Sequence, residues 1–211
     1  MKNFLLFFTL LAFMKADGQA LRQFNLNIGQ QFSSFKYQDA GGNKDTNLTF
    51  RKGAFYSIGL GFDLGKRHQI RPEIYFTASG ANSKFVDIPV EYNLNYLGIN
   101  AGYLYKIISK ERFAVNTGIG LSFDRLLEAT QSVGFVEYDL LEEKLLKPWD
   151  YHISWSALGR FMITPSMFLN LEYRYRYGLI QIENSGEGEN AHNIGHLAII
   201  GLSFELFDKK Q

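Results

Sequence analysis

The chain has no cysteine. That excludes a disulfide framework and a lipoprotein anchor carried on a cysteine. It has only four prolines in 211 residues, and few alanines, which argues against a helical protein. After residue 20 no stretch is long and apolar enough to cross a bilayer as a helix. Charge of one sign is also missing: the formal net charge is +1, which gives no reason to invoke nucleic acid. A chain of this kind enters a membrane only as a closed barrel, because only closure leaves no unpaired backbone in lipid.

Glycine and aromatic side chains are abundant instead: 20 Gly, 19 Phe and 12 Tyr. The first 20 residues read as a secretory signal peptide. Met1-Lys2-Asn3 is a short positive start. Phe4 to Met14 is apolar except for Thr9, and Gly18-Gln19-Ala20 places small residues three before and one before a cut after Ala20. About 190 residues remain, enough for one barrel or one domain. The expected organisation is a signal peptide at 1–20, a barrel at 21–207 and a short charged tail at 208–211.

Alternation with period two recurs in eight runs: 24–29, 56–64, 70–78, 97–107, 113–124, 151–163, 169–177 and 194–206. The second is the clearest. Tyr56, Ile58, Leu60, Phe62 and Leu64 share one face, and Ser57, Gly59, Gly61 and Asp63 share the other. Most runs have the length that a tilted strand needs to cross a hydrocarbon core. The connections alternate. Residues 65–69, 109–111 and 164–166 are short turns, whereas 36–52, 80–93, 126–148 and 181–192 are longer and polar. This is the plan of an all-β, eight-stranded, antiparallel, up-and-down transmembrane β-barrel with periplasmic termini and a polar, filled interior.

Alternation alone does not say which face meets lipid. A secreted, soluble, lipocalin-like barrel would turn its apolar face inward. Aromatics near both strand ends favour lipid on the apolar side. Trp149, Tyr151, Trp155, Tyr173, Tyr175 and Tyr177 are expected near the outer interface. Tyr103, Tyr105, Phe113, Phe161, Phe204 and Phe207 are expected near the periplasmic one.

The chain resembles the outer-membrane β-barrel domain family common in Bacteroidota, which includes PorT-like proteins. The resemblance rests on the Gly18-Gln19-Ala20 region, Phe55 to Leu64 with its Ser-x-Gly-x-Gly pattern, and Arg71-Pro72-Glu73. It rests further on Val86-Asp87-Ile88-Pro89-Val90 and on the ending Gly201-Leu202-Ser203-Phe204-Glu205-Leu206-Phe207. It implies an outer-membrane location and insertion by the barrel-assembly machinery. Its PorT branch implies a part in a type IX protein-secretion complex.

Candidate chemistry is sparse. The strongest set is inward charge: Asp63, Arg71, Glu73, Lys106, Asp124, Arg160, Glu172, Arg174, Arg176 and Glu205. Unpaired charge inside a narrow barrel is expensive, so a structural network that plugs the lumen is expected rather than a conducting path. Arg174 and Arg176, between three tyrosines, are also expected near the outer rim, facing lipopolysaccharide phosphates or loop acids. His152-x-Ser154 raises a lipid A-modifying hydrolase as an alternative, but both residues point inward in this register. His192 and His196, four apart, suit a metal only on a helix. Leu140 to Leu146 reads either as a short amphipathic helix or as part of strands that continue past the membrane. No cofactor, metal or catalytic group is expected. The partners expected are outer-membrane lipid, lipopolysaccharide, the assembly machinery and proteins of an envelope complex. The role expected is structural, adhesive or envelope-assembly.

Overall fold

A computed structural model of the chain describes residues 19–39, 41–44, 47–85, 88–184 and 190–206. Most of the expected signal segment, Phe207 and the 208–211 tail lie outside the described residues. Gln19 and Ala20 open the first strand.

Eight long strands close a ring. They are β1 (Gln19–Gln38), β2 (Thr49–Leu64), β3 (His68–Phe85), β4 (Ile88–Ser109), β5 (Phe113–Val133), β7 (Trp149–Thr164), β8 (Met167–Gly178) and β9 (Asn190–Glu205). Each pairs antiparallel with its sequence neighbours in the ring, and β1 closes on β9. A ninth strand, β6 (Val136–Asp139), pairs only with the far end of β5 and stands outside the ring. The eight-stranded closed barrel therefore stands as the sequence predicts.

The stagger of the ring can be read from the ladder. Phe113 pairs with Phe161, then Leu169, Leu202, Leu26, Ile58, Ile74, Ile99 and finally Phe123. One circuit returns to β5 ten residues higher, from 113 to 123. That stagger forces the strands to tilt. Every residue on the circuit is apolar, and the intervening positions alternate buried and exposed: in β7 the pattern from Trp149 is e-B-e-B-e-B-e-B. Ile28, Ile58, Ile119 and Leu121 each expose more than half of their surface. Large aliphatic side chains in that state need an apolar solvent.

The outer connections differ from the expectation. The stretch 80–93 is almost entirely strand. β3 and β4 pair as far as Phe85 with Ile88, leaving only positions 86 and 87 between them. The 36–52 stretch shrinks to 39–48, and β9 already begins within 181–192, at Asn190. In 126–148, β5 continues to Val133, turns at Gly134 (φ +60°) and returns as β6. Residues 140–144 form turns, with Asp139 Oδ1 accepting from the backbone N–H groups of Leu141 and Glu142, and Leu146 bridges to Glu183, so no helix is present there. Nor does the continuation of β5 pair with β7; it pairs with β4 and β6. Alternation marks a strand only where lipid lies on one side and the lumen on the other. Where both faces of a paired strand meet similar surroundings, no period-two signal results. In the remaining short loop, the Asn43 backbone N–H at 2.7 Å and side-chain amide at 3.1 Å hold the Asp39 carboxyl below the ordinary carboxylate range.

Candidate functional site

The lumen carries most of the buried polar chemistry. All ten predicted charges lie on inward positions of the ring. Seven are buried, and Asp63, Lys106 and Glu205, nearest the turn end, are half-buried. β3 and β8 are four strands apart whichever way the ring is counted, so they face each other across the barrel.

Four of these charges alternate in a closed group. Arg71 Nη2 lies 2.7 Å from Glu172 Oε2, and its Nε lies 3.4 Å from Glu73 Oε1. Arg174 Nη2 lies 2.8 Å from both Glu73 Oε2 and Glu172 Oε1, and its Nε donates to Glu172 Oε1 at 2.8 Å. Asn100 Nδ2 adds a bond to Glu73 Oε2 at 3.1 Å. The side chains are 4% exposed or less. Two cations and two anions cancel, which is what makes such burial tolerable. The Arg71–Glu172 contact is a strut across the full lumen.

Two residues further along the same strands sits a second group. The Tyr75 hydroxyl donates to Asp124, and Arg176 pairs with the other oxygen of that carboxylate. Arg176 Nη2 also donates to the Tyr75 oxygen at 2.7 Å. His152 Nδ1 is 3.0 Å from Asp124 Oδ2, and its Nε2 is 3.2 Å from Asp150 Oδ2. Asn193 Nδ2 donates to Asp150 at 2.6 Å and to the Tyr96 hydroxyl at 3.0 Å. Phe55, Tyr75, Leu197 and Ile199 form one buried apolar cluster beside these groups, and the Arg174 guanidinium lies 5.8 Å over the Phe55 ring.

Above them the barrel is capped. Leu94, Tyr96, Leu126, Ala129, Leu140, Leu146, Ile182 and Ala191 form one buried apolar cluster drawn from strand ends and outer loops. Backbone bonds fix the loops over it: Leu140 N–H to Ala129 O at 2.9 Å, and Lys147 N–H to Ile182 O at 2.7 Å. A small pocket of about 10 Å³ beside Asp124 and His152 has room for about one water. At the other end, an open recess of about 820 Å³ is lined by Lys106, Lys110, Glu111, Arg160 and Glu205. The Arg160 guanidinium stacks on Phe168 there, 4.5 Å from the ring centre.

Two placements are corrected. Arg174 and Arg176 are not at the rim. They lie inside the lumen, 3% and 4% exposed, because β4, β5 and β9 rise well above them and the apolar cap covers them. Trp155 and Tyr173 are not at the outer interface either. Trp155 stands midway on β7 between Trp149 and Phe161, six residues from each, and its Nε1 donates to Thr117 Oγ1 at 3.1 Å. Tyr173 pairs with Ala157, two residues further toward the turn end than Trp155, and its hydroxyl meets His196 Nδ1 at 2.7 Å. Each polar group is thus satisfied within the outward face, which a lipid-facing midpoint requires. The two ends of the band fit the expectation better. Phe123 stacks on Trp149, and Phe113 packs on Phe161.

His152 and Ser154 both point inward, as their register predicts, but they do not meet as a catalytic pair. Ser154 Oγ donates to Gly120 O, and the imidazole is held by the two aspartates. His192 Nδ1 meets Gly178 O, apart from His196. Among the described residues no group of three or more His, Asp or Glu is arranged to hold a metal.

Sequence reasoning missed Asp150, Tyr75, Tyr96 and Asn193 as members of the network. Asp150 was legible: it precedes His152 by two, on the same face, and pairs directly with Asp124.

No protein-family model matches the chain, and no curated protein matches it either. Solved structures do. Neisserial surface protein A (NspA) is 16% identical, with a TM-score of 0.53 over 90% of this chain and 100% of that one. The outer membrane protein OprG from Pseudomonas aeruginosa is 8% identical, with a TM-score of 0.55 over 90% and 98%. A major outer membrane protein from Thermus thermophilus is 10% identical, with a TM-score of 0.51 over 89% and 100%. The chain has the fold of small outer-membrane β-barrels. At these identities the likeness is one of fold.

Proposed function

We propose that the chain is an integral outer-membrane barrel with a sealed lumen, which acts through its outer hairpins in a structural, adhesive or envelope-assembly role. The observation that carries this is the pair of charge groups spanning opposed strands inside an apolar-coated ring. On β7 the coat runs from Phe161 to Trp149, twelve residue steps. At about 3.3 Å per residue and a tilt near 45°, that is roughly 28 Å along the axis, close to the apolar band of an outer-membrane barrel.

Export by the 1–20 signal segment and insertion by the barrel-assembly machinery belong to this reading, and so does lipopolysaccharide around the outer girdle. The hairpins offer the contact surface. Phe135 at the β5–β6 tip is fully exposed, with Val136 and Tyr138 beside it. A part in a type IX secretion complex is a narrower reading that rests on the PorT-like sequence patterns; co-purification of stoichiometric secretion partners in mild detergent is its test. We propose no catalytic role.

Planar-bilayer recording tests the sealed lumen. Purified protein is expected to show heat-modifiable migration and negligible conductance. Stable openings of porin size would refute a plugged barrel.

A further inference from the structure

The three short turns carry five exposed charged side chains: Lys66, Arg67, Lys110, Glu111 and Arg112. The rim at that end is therefore basic. One turn differs from the others in what lies beside it. In the β2–β3 turn, Gly65 takes φ +80° and the Lys106 N–H bonds to Arg67 O at 2.8 Å, which fixes the turn against β4. Arg67 Nη1 donates to the Tyr105 hydroxyl at 3.2 Å. His68 Nδ1 lies 2.6 Å from the Tyr103 hydroxyl, and its ring packs 5.3 Å from that of Tyr105. Among the described residues neither Lys66 nor Arg67 has a carboxylate within ion-pair distance. Directly above the tyrosines the face is apolar. Ile70 pairs with Tyr103, and the small Pro72 pairs with Ala101, next to the exposed pair Ile74 and Ile99.

We propose that this corner binds an anionic glycerophospholipid from the periplasmic leaflet, with Lys66 and Arg67 holding the phosphodiester and the acyl chain lying along Ile70, Pro72 and Ala101. The inference rests on the outer-membrane reading, which sets this end in the periplasm. A guanidinium suits a phosphate because its donors match two oxygens at once. Here its position is already set by Tyr105, so little freedom is lost on binding. The tyrosines stand where the headgroup region begins, as interfacial aromatics do.

The test uses the full chain folded in nanodiscs of phosphatidylethanolamine with a minor share of phosphatidylglycerol. Retained lipid is counted by native mass spectrometry. Each cation beside an anionic lipid surface is worth about fivefold in partition, so Lys66→Ser/Arg67→Ser is expected to retain roughly twenty-five-fold less phosphatidylglycerol. Lys110→Ser/Arg112→Ser, on a turn without tyrosine partners, is expected to change retention little. An equal loss in that second variant would replace the site with diffuse rim charge and overturn the proposal. Unchanged retention in the first variant would do the same. Loss of lipid A retention from lipid A-doped discs by the first variant would overturn the leaflet assignment. Heat-modifiable migration is read on every sample. A folded variant that keeps its lipid refutes this inference alone, whereas failure of the parent chain to migrate as a folded barrel refutes the outer-membrane reading.

Discussion

Glu172→Gln is the sharpest probe of the lumen. Both carboxylate oxygens of Glu172 are occupied by donors: Oε1 by Arg174 at 2.8 Å and Oε2 by Arg71 at 2.7 Å. A glutamine of the same size must turn its NH2 toward one guanidinium, so a donor meets a donor. It also leaves Arg71 and Arg174 sharing only Glu73, an uncompensated positive charge in a site that is 4% exposed or less. Removing one partner of a buried ion pair costs about 3–5 kcal/mol, and burial this deep leaves little solvent to screen the loss. That is a large part of the roughly 5–15 kcal/mol that holds a domain folded. Arg71→Met added to Glu172→Gln removes both the excess charge and the facing donor, leaving Glu73 paired with Arg174. The double variant is expected to recover most of the loss, with a coupling energy of about 2 kcal/mol or more. The assay is urea unfolding in lipid vesicles, read by tryptophan fluorescence and heat-modifiable migration. A Glu172→Gln loss below about 1 kcal/mol would refute the reasoning, as would a double variant that loses the sum of the singles.

Two other measurements address the wall. The chain has two tryptophans. With Trp149→Phe, the remaining Trp155 is expected to be quenched most by lipids brominated at mid-chain; with Trp155→Phe, Trp149 is expected to be quenched most by bromines near the headgroup. Absence of quenching in both would overturn the lipid-facing assignment. Gly98→Ala places a methyl against Asp124 and the Tyr75 ring, and is expected to cost about 1–3 kcal/mol by overpacking. Gly65→Ala meets open space, and its cost is limited to the left-handed backbone at φ +80°, about 1 kcal/mol. Thermal midpoints in detergent that fall equally would refute the distinction between space and backbone.

Much of the wall was legible in the sequence because it is a local property. Tyr56, Ile58 and Leu60 alternate with Ser57, Gly59 and Gly61 since successive side chains on a strand meet opposite solvents. Reading the inner face alone also found Arg71, Glu73, Glu172, Arg174, Arg176 and Asp124. It passed over Asp150 although Trp149 and Tyr151 flank it on the apolar face, and it did not find Tyr96 or Asn193, whose neighbours Asn95 and His192 make the outward face there less uniformly apolar. The 80–93 hairpin was lost for the same reason: Asn82, Ser83 and Lys84 are paired strand, yet read as loop.

The sequence by itself determined that the chain closes a barrel of eight strands, which side chains form its apolar outer face, and which charges turn inward. The tertiary structure alone decided how those charges meet. Arg71 and Glu172 are 101 residues apart, and nothing local to either names the other. They come to 2.7 Å because the ring closes with a ten-residue stagger, which sets the height of β3 against β8. A different stagger would keep every side chain on its own face and pair different charges. Alternation is fixed strand by strand, but the height at which opposed strands face each other is a property of the whole closed ring.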